Sequence, residues 1–150
     1  WRPELVRVLY DTSVLVAALL VEHPNHDRAF PELESARRGE IQGYISTHTF
    51  AELYAVMTRL PKPLKVLPEE AQALIADLIE YLTPVSLLPE EYESVVARMV
   101  KFRLTGGGIF DALIAQAALK VEVDYLITLN PKDFTRLGEE IATIVKVPPE

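Results

Sequence analysis

Acidic and amide side chains stand where predicted strands end and predicted helices begin, and they are the residues of this sequence best suited to chemistry. They are Asp11 in VLYDTSVL, Glu52 in THTFAELYA, Asp111 in GGGIFDALIAQAAL, and Asn130 with Asp133 in YLITLNPKDF. Residues at the C-terminal ends of parallel strands lie along one edge of a sheet, so these side chains can converge. Oxygen ligands brought together in this way are typical of a site for a hard divalent cation.

Alternating strand and helix patterns predict the elements that must position these side chains. Apolar or β-branched segments indicate strands at 5–10, 42–46, 84–88, 125–129 and 141–147. Between these strands, helical periodicity or helix-start patterns predict helices. Two of the helix starts are the Pro-Glu-Glu sequences at 68–70 and 89–91. Strands alternating with helices predict an α/β fold in which helices cover a parallel sheet. In such sheets ligands bind beyond the C-terminal ends of the strands.

Composition limits the protein classes to consider. The 150 residues are 49% hydrophobic, which predicts a single domain over 1–150 with a substantial core. Cysteine is absent, which excludes disulfides and thiolate chemistry and favours a cytoplasmic location. No apolar run is long enough to span a bilayer, so no membrane association is expected. The net charge of −7 argues against a protein that coats nucleic acid by bulk electrostatics, although not against a nucleic-acid enzyme.

Two stretches of the sequence, 53–68 and 94–110, contain basic residues and no acids. These stretches are either solvated helix faces with their connectors or a rim that contacts phosphates. The candidates for phosphate contact are Arg59, Lys62, Lys101 and Arg103.

Each candidate acid also has a structural interpretation. Asp11 could cap the helix that follows it, as could Ser13, and Glu52 completes a Thr-x-x-Glu capping box with Thr49. Asp133 could cap a turn, and Asn130 could be a turn residue. Asp111 is harder to explain in this way, because it lies in a helix that is apolar nearly all round, where an unpaired carboxylate is costly.

A cluster of these acids would require a cation. Two carboxylates about 4 Å apart repel by roughly 4 kcal/mol at an effective dielectric constant near 20, so the cluster must hold protons or bind a positive ion. Ligation by oxygen alone favours Mg²⁺ or Mn²⁺, whereas three histidines without cysteine make a zinc site a poor alternative. The chemistry typical of such a site is metal-assisted hydrolysis of a phosphodiester.

The segments VLYDTSVLVAALL, ISTHTFAELYAVMTR, GGGIFDALIAQAAL and LITLNPKDF together resemble the PIN-domain family, and within it the VapC-type toxins of prokaryotic toxin–antitoxin pairs. The resemblance covers nearly the whole chain, in the family's order and spacing. It implies a three-layer α/β/α fold with a central parallel sheet of about five strands. It also implies Mg²⁺- or Mn²⁺-dependent endoribonuclease activity, homodimerisation and neutralisation by a small antitoxin protein.

The resemblance also assigns roles by position. It makes catalytic residues of Asp11, Glu52, Asp111 and Asp133, and metal ligands of the same four together with Asn130. Either Asn130 or Asp133 fills the family's fourth position, and the number of metals is open. Ser13 and Thr128 match polar positions with supporting roles. RNA phosphates would lie along the rim that Arg59, Lys62, Lys101 and Arg103 supply.

Two other protein classes compete with a ribonuclease. A haloacid-dehalogenase-like phosphatase also has an aspartate at the end of its first strand, but it needs a second one two residues later, where this chain has Ser13. A non-catalytic PIN-like module that binds RNA or protein is the main alternative, because Asn130 carries no charge. Trp1 and the stripe Tyr54, Met57 and Leu60 are expected in the core or an interface, and an exposed part of that stripe would receive an antitoxin helix.

Overall fold

A five-stranded parallel sheet lies at the centre of the computed structural model, which describes residues 4–150. The strands are β1 (Arg7–Tyr10), β2 (Gln42–Ser46), β3 (Thr83–Val85), β4 (Tyr125–Ile127) and β5 (Val145–Lys146). Their order across the sheet is β3-β2-β1-β4-β5, with every neighbouring pair parallel. Together with helices on both faces, this sheet confirms the predicted three-layer α/β/α fold.

Eight helices connect or follow the strands within the described residues. They are α1 (Thr12–Leu19), α2 (His26–Arg37), α3 (Thr47–Arg59), α4 (Pro68–Ile79), α5 (Pro89–Lys101), α6 (Gly108–Lys120), α7 (Lys132–Thr135) and α8 (Glu139–Ala142). The Pro-Glu-Glu sequences begin α4 and α5 as predicted. In both, the glutamate at the third helical position accepts a hydrogen bond from the backbone N–H before the proline, at 3.0 Å in α4 and 2.7 Å in α5. None of the helices within 4–150 combines the length and apolar character that crossing a bilayer requires.

Right-handed crossovers decide which face of the sheet each helix covers. The chain moves from β1 to β2 to β3 in one direction, so α1–α4 pack on one face. It then returns across the sheet to β4 and continues to β5, so α5–α8 pack on the other face. The buried side chains divide in the same way, because Val8 and Tyr10 belong to one hydrophobic core and Leu9, between them, to the other.

The return of the chain makes β1 and β4 neighbours, although the first residue of β4, Tyr125, follows the last residue of β1, Tyr10, by 115 positions in the sequence. Open α/β sheets bind ligands outside the strand C-termini at the point where the strand order reverses. In this protein that point lies between Asp11, directly after β1, and Thr128, directly after β4.

The sequence prediction differs from the structure in the bounds of several strands. β1 begins two residues later than predicted, β3 ends three residues earlier and β4 ends two residues earlier. The largest difference is at the C-terminal end of the chain. A strand predicted over 141–147 is wrong for its first part, because Ile141 is buried within α8 and β5 contains only Val145–Lys146. In the predicted apolar stripe, Met57 is fully buried, whereas Tyr54 is 44% exposed. Trp1 lies outside the described residues.

Candidate functional site

Asp11 is buried at the mouth of α1 and is held there by two hydroxyl groups. Its side chain is 5% exposed, and its Oδ2 accepts hydrogen bonds from Ser13 at 2.7 Å and from Thr128 at 2.8 Å. Asp11 occupies the N-cap position of α1, yet its carboxylate makes no capping hydrogen bond. Burial raises the pKa of Asp11, while the hydroxyl donors partly lower it. Its side chain is thus oriented across the sheet and does not serve the helix.

Ser13 and Thr128 join the ends of β1 and β4 into one polar network. The Ser13 hydroxyl accepts a hydrogen bond from the backbone N–H of Leu129 at 3.1 Å. The Thr128 hydroxyl accepts one from the backbone N–H of Asn130 at 2.9 Å. Each hydroxyl therefore donates to Asp11 and accepts from the segment after β4, so the segment that carries Asn130 is fixed relative to the aspartate.

Glu52 reaches the same region from α3. Its Oε1 accepts a hydrogen bond from the Thr12 hydroxyl at 2.9 Å and lies 3.5 Å from Nε2 of His48. The capping-box interpretation is wrong, because α3 already begins at Thr47 and Glu52 lies inside the helix. Thr49 is fully buried, and its hydroxyl has no hydrogen-bond partner among the described residues. The glutamate is thus held by a residue of α1 rather than by its own helix start.

Asp111 lies in the first turn of α6, where the chain has just left a glycine-rich connection. Burial raises its pKa to about 7, and repulsion from Asp11, Asp133 and Glu52 adds to the effect. Arg136 opposes this shift, with its guanidinium nitrogen 3.7 Å from Oδ2 of Asp111. A carboxyl group with this pKa would be partly protonated at neutral pH, which means that one arginine does not offset the surrounding negative charge.

The four acids and the amide line one open cavity of about 420 Å³ at the C-terminal edge of the sheet. Both candidates for the fourth position, Asn130 and Asp133, face it. The full set of lining residues is Asp11, Thr12, Ser13, Val16, His23, Asn25, Glu52, Val56, Leu60, Asp111, Leu129, Asn130 and Asp133.

The donor chemistry of this cavity fits a divalent cation, although the acids are spaced more widely than the tight cluster that the sequence analysis considered. Among residues 4–150, no three His, Cys, Asp or Glu side chains are close enough to hold one ion between them. Mg²⁺ retains several of its waters and commonly takes only one or two carboxylates directly. A hydrated cation therefore fits the oxygen donors and the spacing better than a cage of direct ligands does.

Comparison with known proteins identifies the family. The family model described as "PIN domain" matches residues 8–140, a span that includes all four acids of the cavity. The chain belongs to the PIN-domain family. Ribonuclease VapC27 of Mycobacterium tuberculosis is 33% identical to this chain over 108 residues, which is 72% of this chain and 74% of that protein. Ribonuclease VapC40 of the same species is 33% identical over 110 residues, 72% of this chain and 75% of its own length.

Solved structures share the PIN fold. VapBC2 from Rickettsia felis, bound to a DNA fragment from its promoter, aligns with a TM-score of 0.68 at 22% identity, covering 96% of this chain and 100% of that one. A toxin–antitoxin complex from Klebsiella pneumoniae aligns with a TM-score of 0.67 at 23% identity, covering 95% of this chain and 98% of that one. At these identities the likeness concerns the fold alone.

The four basic residues predicted to contact phosphates do not share one location on this PIN domain. Arg59 and Lys62 are exposed on either side of Leu60, which lines the acidic cavity. Lys101 lines a different cavity, beside the start of α8. Arg103 is exposed in the connection between α5 and α6, at a φ of 52°. Of the four, only Arg59 and Lys62 are close in the sequence to a residue that lines the acidic cavity.

Sequence reasoning missed several residues that shape this PIN-domain site. Thr12 fixes Glu52, Arg136 approaches Asp111, and His23 with Asn25 completes one wall of the cavity. Thr12 could have been noticed as a hydroxyl beside the first acid. The contact of Arg136 depends on how α7 lies against α6, which no spacing in the sequence indicates.

Proposed function

We propose that this protein is a metal-dependent endoribonuclease, the toxin of a type II toxin–antitoxin pair, which hydrolyses RNA phosphodiester bonds with metal-activated water. One observation carries the proposal: four carboxylates from separate parts of the chain line a single cavity at the strand-order reversal. Burial raises the pKa of Asp111 there to about 7, and repulsion from the other three carboxylates adds to the effect. The similarity to proteins named ribonuclease VapC27 and VapC40 supports the same activity.

Asp11 and Asp111 are the residues proposed to hold the cation, Mg²⁺ or Mn²⁺. When bound, the ion would offset the negative charge of the carboxylates, lower the pKa of water and stabilise charge on the leaving oxygen. Asp11 contributes a fixed orientation, because Ser13 and Thr128 both donate hydrogen bonds to its Oδ2. Ser13 and Thr128 therefore have supporting roles.

Glu52 is proposed to orient the attacking water and accept its proton. Thr12 donates to Oε1 of Glu52, which leaves the second carboxylate oxygen of the residue available for water. Asp133 and Asn130 would complete the outer side of the site. Asn130 supplies an oxygen without a charge, and Asp133 supplies the fourth negative charge of the cavity.

RNA phosphates are proposed to run past Leu60, where Arg59 and Lys62 extend from the rim. Lys101 and Arg103 would contact the RNA only if the RNA strand were long enough to continue over the α5–α6 connection. The exposed sides of α3 and α4 are proposed for the antitoxin, since Tyr54, Pro68, Glu69, Gln72 and Ile75 line a groove of about 410 Å³ there. Solved relatives are toxin–antitoxin complexes, which supports such a partner. Homodimerisation remains part of this proposal, and sedimentation analysis would test it.

The decisive experiment measures cleavage of structured and single-stranded RNA with Mg²⁺, with Mn²⁺ and with EDTA. The wild-type protein should cleave only with a divalent ion, and Asp11→Asn should lose at least about 10²-fold in rate. Asp77→Asn, on the exposed part of α4, is the matched control and should retain full activity. Equal rates in the Asp11 variant and the wild type would contradict the assignment.

Calorimetry separates the enzyme from a non-catalytic PIN-like module, for which the neutral Asn130 is the supporting observation. A saturable Mn²⁺ site that disappears in Asp11→Asn supports the enzyme. RNA or protein binding without any metal site would instead support the module.

A further inference from the structure

Phe110 is an exposed aromatic residue that directly precedes Asp111 in the first turn of α6. Its side chain is 48% exposed, whereas most of α6 is buried. Single exposed apolar residues are ordinary on protein surfaces and need no explanation by themselves. Phe110 does not itself line the acidic cavity, but it differs from such residues in the ring that it contacts, which belongs to a neighbour of the cavity residue Glu52.

The ring of Phe110 stacks on the imidazole of His48. Their centroids are 5.2 Å apart, and their planes differ by only 8°. Nε2 of the same histidine lies 3.5 Å from Oε1 of Glu52. The stacked pair therefore lies next to Glu52 on the α3 side, and on α6 it directly precedes Asp111 in the chain. We call this pair, His48 and Phe110, the aromatic pair.

The lining of this cavity supplies no positive side chain to an RNA substrate, so contacts other than charge would add to its affinity. None of the described residues that line the cavity is Lys or Arg, and four are acids. Phosphates are repelled by such a lining until a cation is bound. Flat aromatic side chains bind nucleobases by stacking, without a requirement for charge and with little dependence on base identity.

We propose that the aromatic pair is a stacking site for a nucleobase of single-stranded RNA, the base of a nucleotide adjacent to the phosphodiester that is cleaved. The proposal rests on the ribonuclease function proposed above. Phe110 supplies the exposed ring, and His48 fixes its orientation against α3. Recognition of an unpaired base in this way favours loops, bulges and single strands over duplex RNA, since bases within a duplex are already stacked on one another.

The chain offers a matched control for this proposal. Phe30, on α2, is 42% exposed and also lies against a histidine, His26, with ring centroids 5.2 Å apart. That pair lies beside a different cavity, between α2 and α4. Phe30→Ala therefore removes an aromatic side chain of similar exposure without touching the acidic cavity.

The first test compares the cleavage kinetics of the wild type and its variants in Mg²⁺. The substrate is first a pool of randomised single-stranded 20-nucleotide RNA, and then one sequence from that pool that the wild type cleaves. Phe110→Ala should raise KM about fivefold or more with kcat nearly unchanged, because stacking contributes equally to the bound substrate and to the transition state. Phe110→Trp should retain a KM near that of the wild type, and Phe30→Ala should not change it. A normal KM in Phe110→Ala would overturn the proposal.

The second test removes the base rather than the ring. The cleaved RNA is prepared with an abasic nucleotide at each position next to the scissile bond in turn. At one of these positions, removal of the base should raise the KM of the wild type as much as Phe110→Ala raises KM on the intact RNA. Removal of the same base should not raise the KM of Phe110→Ala any further. Independent, additive losses at every position would contradict stacking on Phe110. A change in sedimentation coefficient for Phe110→Ala, with KM unaltered, would instead identify this surface as a protein interface.

Fluorescence distinguishes failure of this inference from failure of the proposed function. In Phe110→Trp, single-stranded RNA in Ca²⁺ buffer should quench tryptophan emission, whereas the wild type, whose only tryptophan is Trp1, should show little change. Quenching without any cleavage by the wild type would support the stacking site in a binding module and refute the nuclease. Cleavage without quenching would leave the nuclease intact and refute the stacking site.

Discussion

Asp111→Asn should stabilise the metal-free protein while removing its activity. Burial and the neighbouring carboxylates raise the pKa of Asp111 from 3.8 to about 7. The folded protein thus binds a proton here more tightly than the unfolded chain does. As the pH rises from 3.8 to about 7, this group lowers the free energy of unfolding, and above pH 7 the full penalty is present. An asparagine, which carries no charge, avoids that penalty.

The size of the gain follows from the pKa shift and the exposure of the side chain. A shift of about three units corresponds to about 4 kcal/mol without any screening. Because the Asp111 side chain is 25% exposed and solvent screens its charge, the expected gain at pH 8 is about 1–2 kcal/mol. In a protein of this size that gain raises Tm by about 2–8 °C. At pH 5 about a third of the gain should remain.

The assay is thermal unfolding followed by circular dichroism in EDTA at pH 8 and pH 5, with RNA cleavage measured separately in Mg²⁺. Asp27→Asn is the control, because Asp27 is exposed in the first turn of α2, where a negative charge is favourable. This variant should lower the free energy of unfolding by up to about 1 kcal/mol. The same chemical change would then have the opposite effect on stability from that expected for Asp111→Asn. An Asp111→Asn protein that is no more stable than the wild type at pH 8 would refute the argument that burial and carboxylate repulsion together make a charged Asp111 costly.

Three further substitutions test other parts of the structure. Thr128→Val keeps the shape of a fully buried side chain but removes its hydrogen bond to Asp11, and urea unfolding should show a loss of about 1–3 kcal/mol. Arg59→Gln should weaken RNA binding and reduce the slope of log affinity against log salt concentration by about one unit, whereas Arg38→Gln, on the far end of α2, should change neither. Gly43→Ala should lower Tm sharply, because the added carbon would lie 2.5 Å from a leucine side chain packed on β2.

The parts of the fold that sequence could predict are those in which local pattern and global structure agree. The apolar strand that ends before Asp11, the Pro-Glu-Glu helix starts and the helix that carries Asp111 all have strong local patterns, and all occur, although the strand begins at Arg7 rather than at position 5. Ile141 shows the limit of such patterns. A single buried isoleucine satisfies a one-turn helix as well as a strand, and only the packing of α8 against the core decides between them.

The candidate site was predictable in its residue types but not in its detailed contacts. Acids at the ends of strands indicate where a site can form, because the edge of a parallel sheet brings them together. The hydrogen bond from Thr12 to Glu52 and the approach of Arg136 to Asp111 depend on packing between different elements. The widely spaced acids likewise follow from the lengths and angles of helices, which composition and periodicity do not determine.

The two faces of the sheet are filled in chain order, α1–α4 on one and α5–α8 on the other. A polypeptide still emerging from the ribosome could therefore pack its early helices before Asp111 and Asp133 have been synthesised. Such a nascent chain would contain Asp11 and Glu52 but not yet the side of the cavity that Asp111 and Asp133 form. The acidic cavity would therefore be incomplete until α6 and α7 had packed on the second face, so we expect cleavage activity to arise only late in folding.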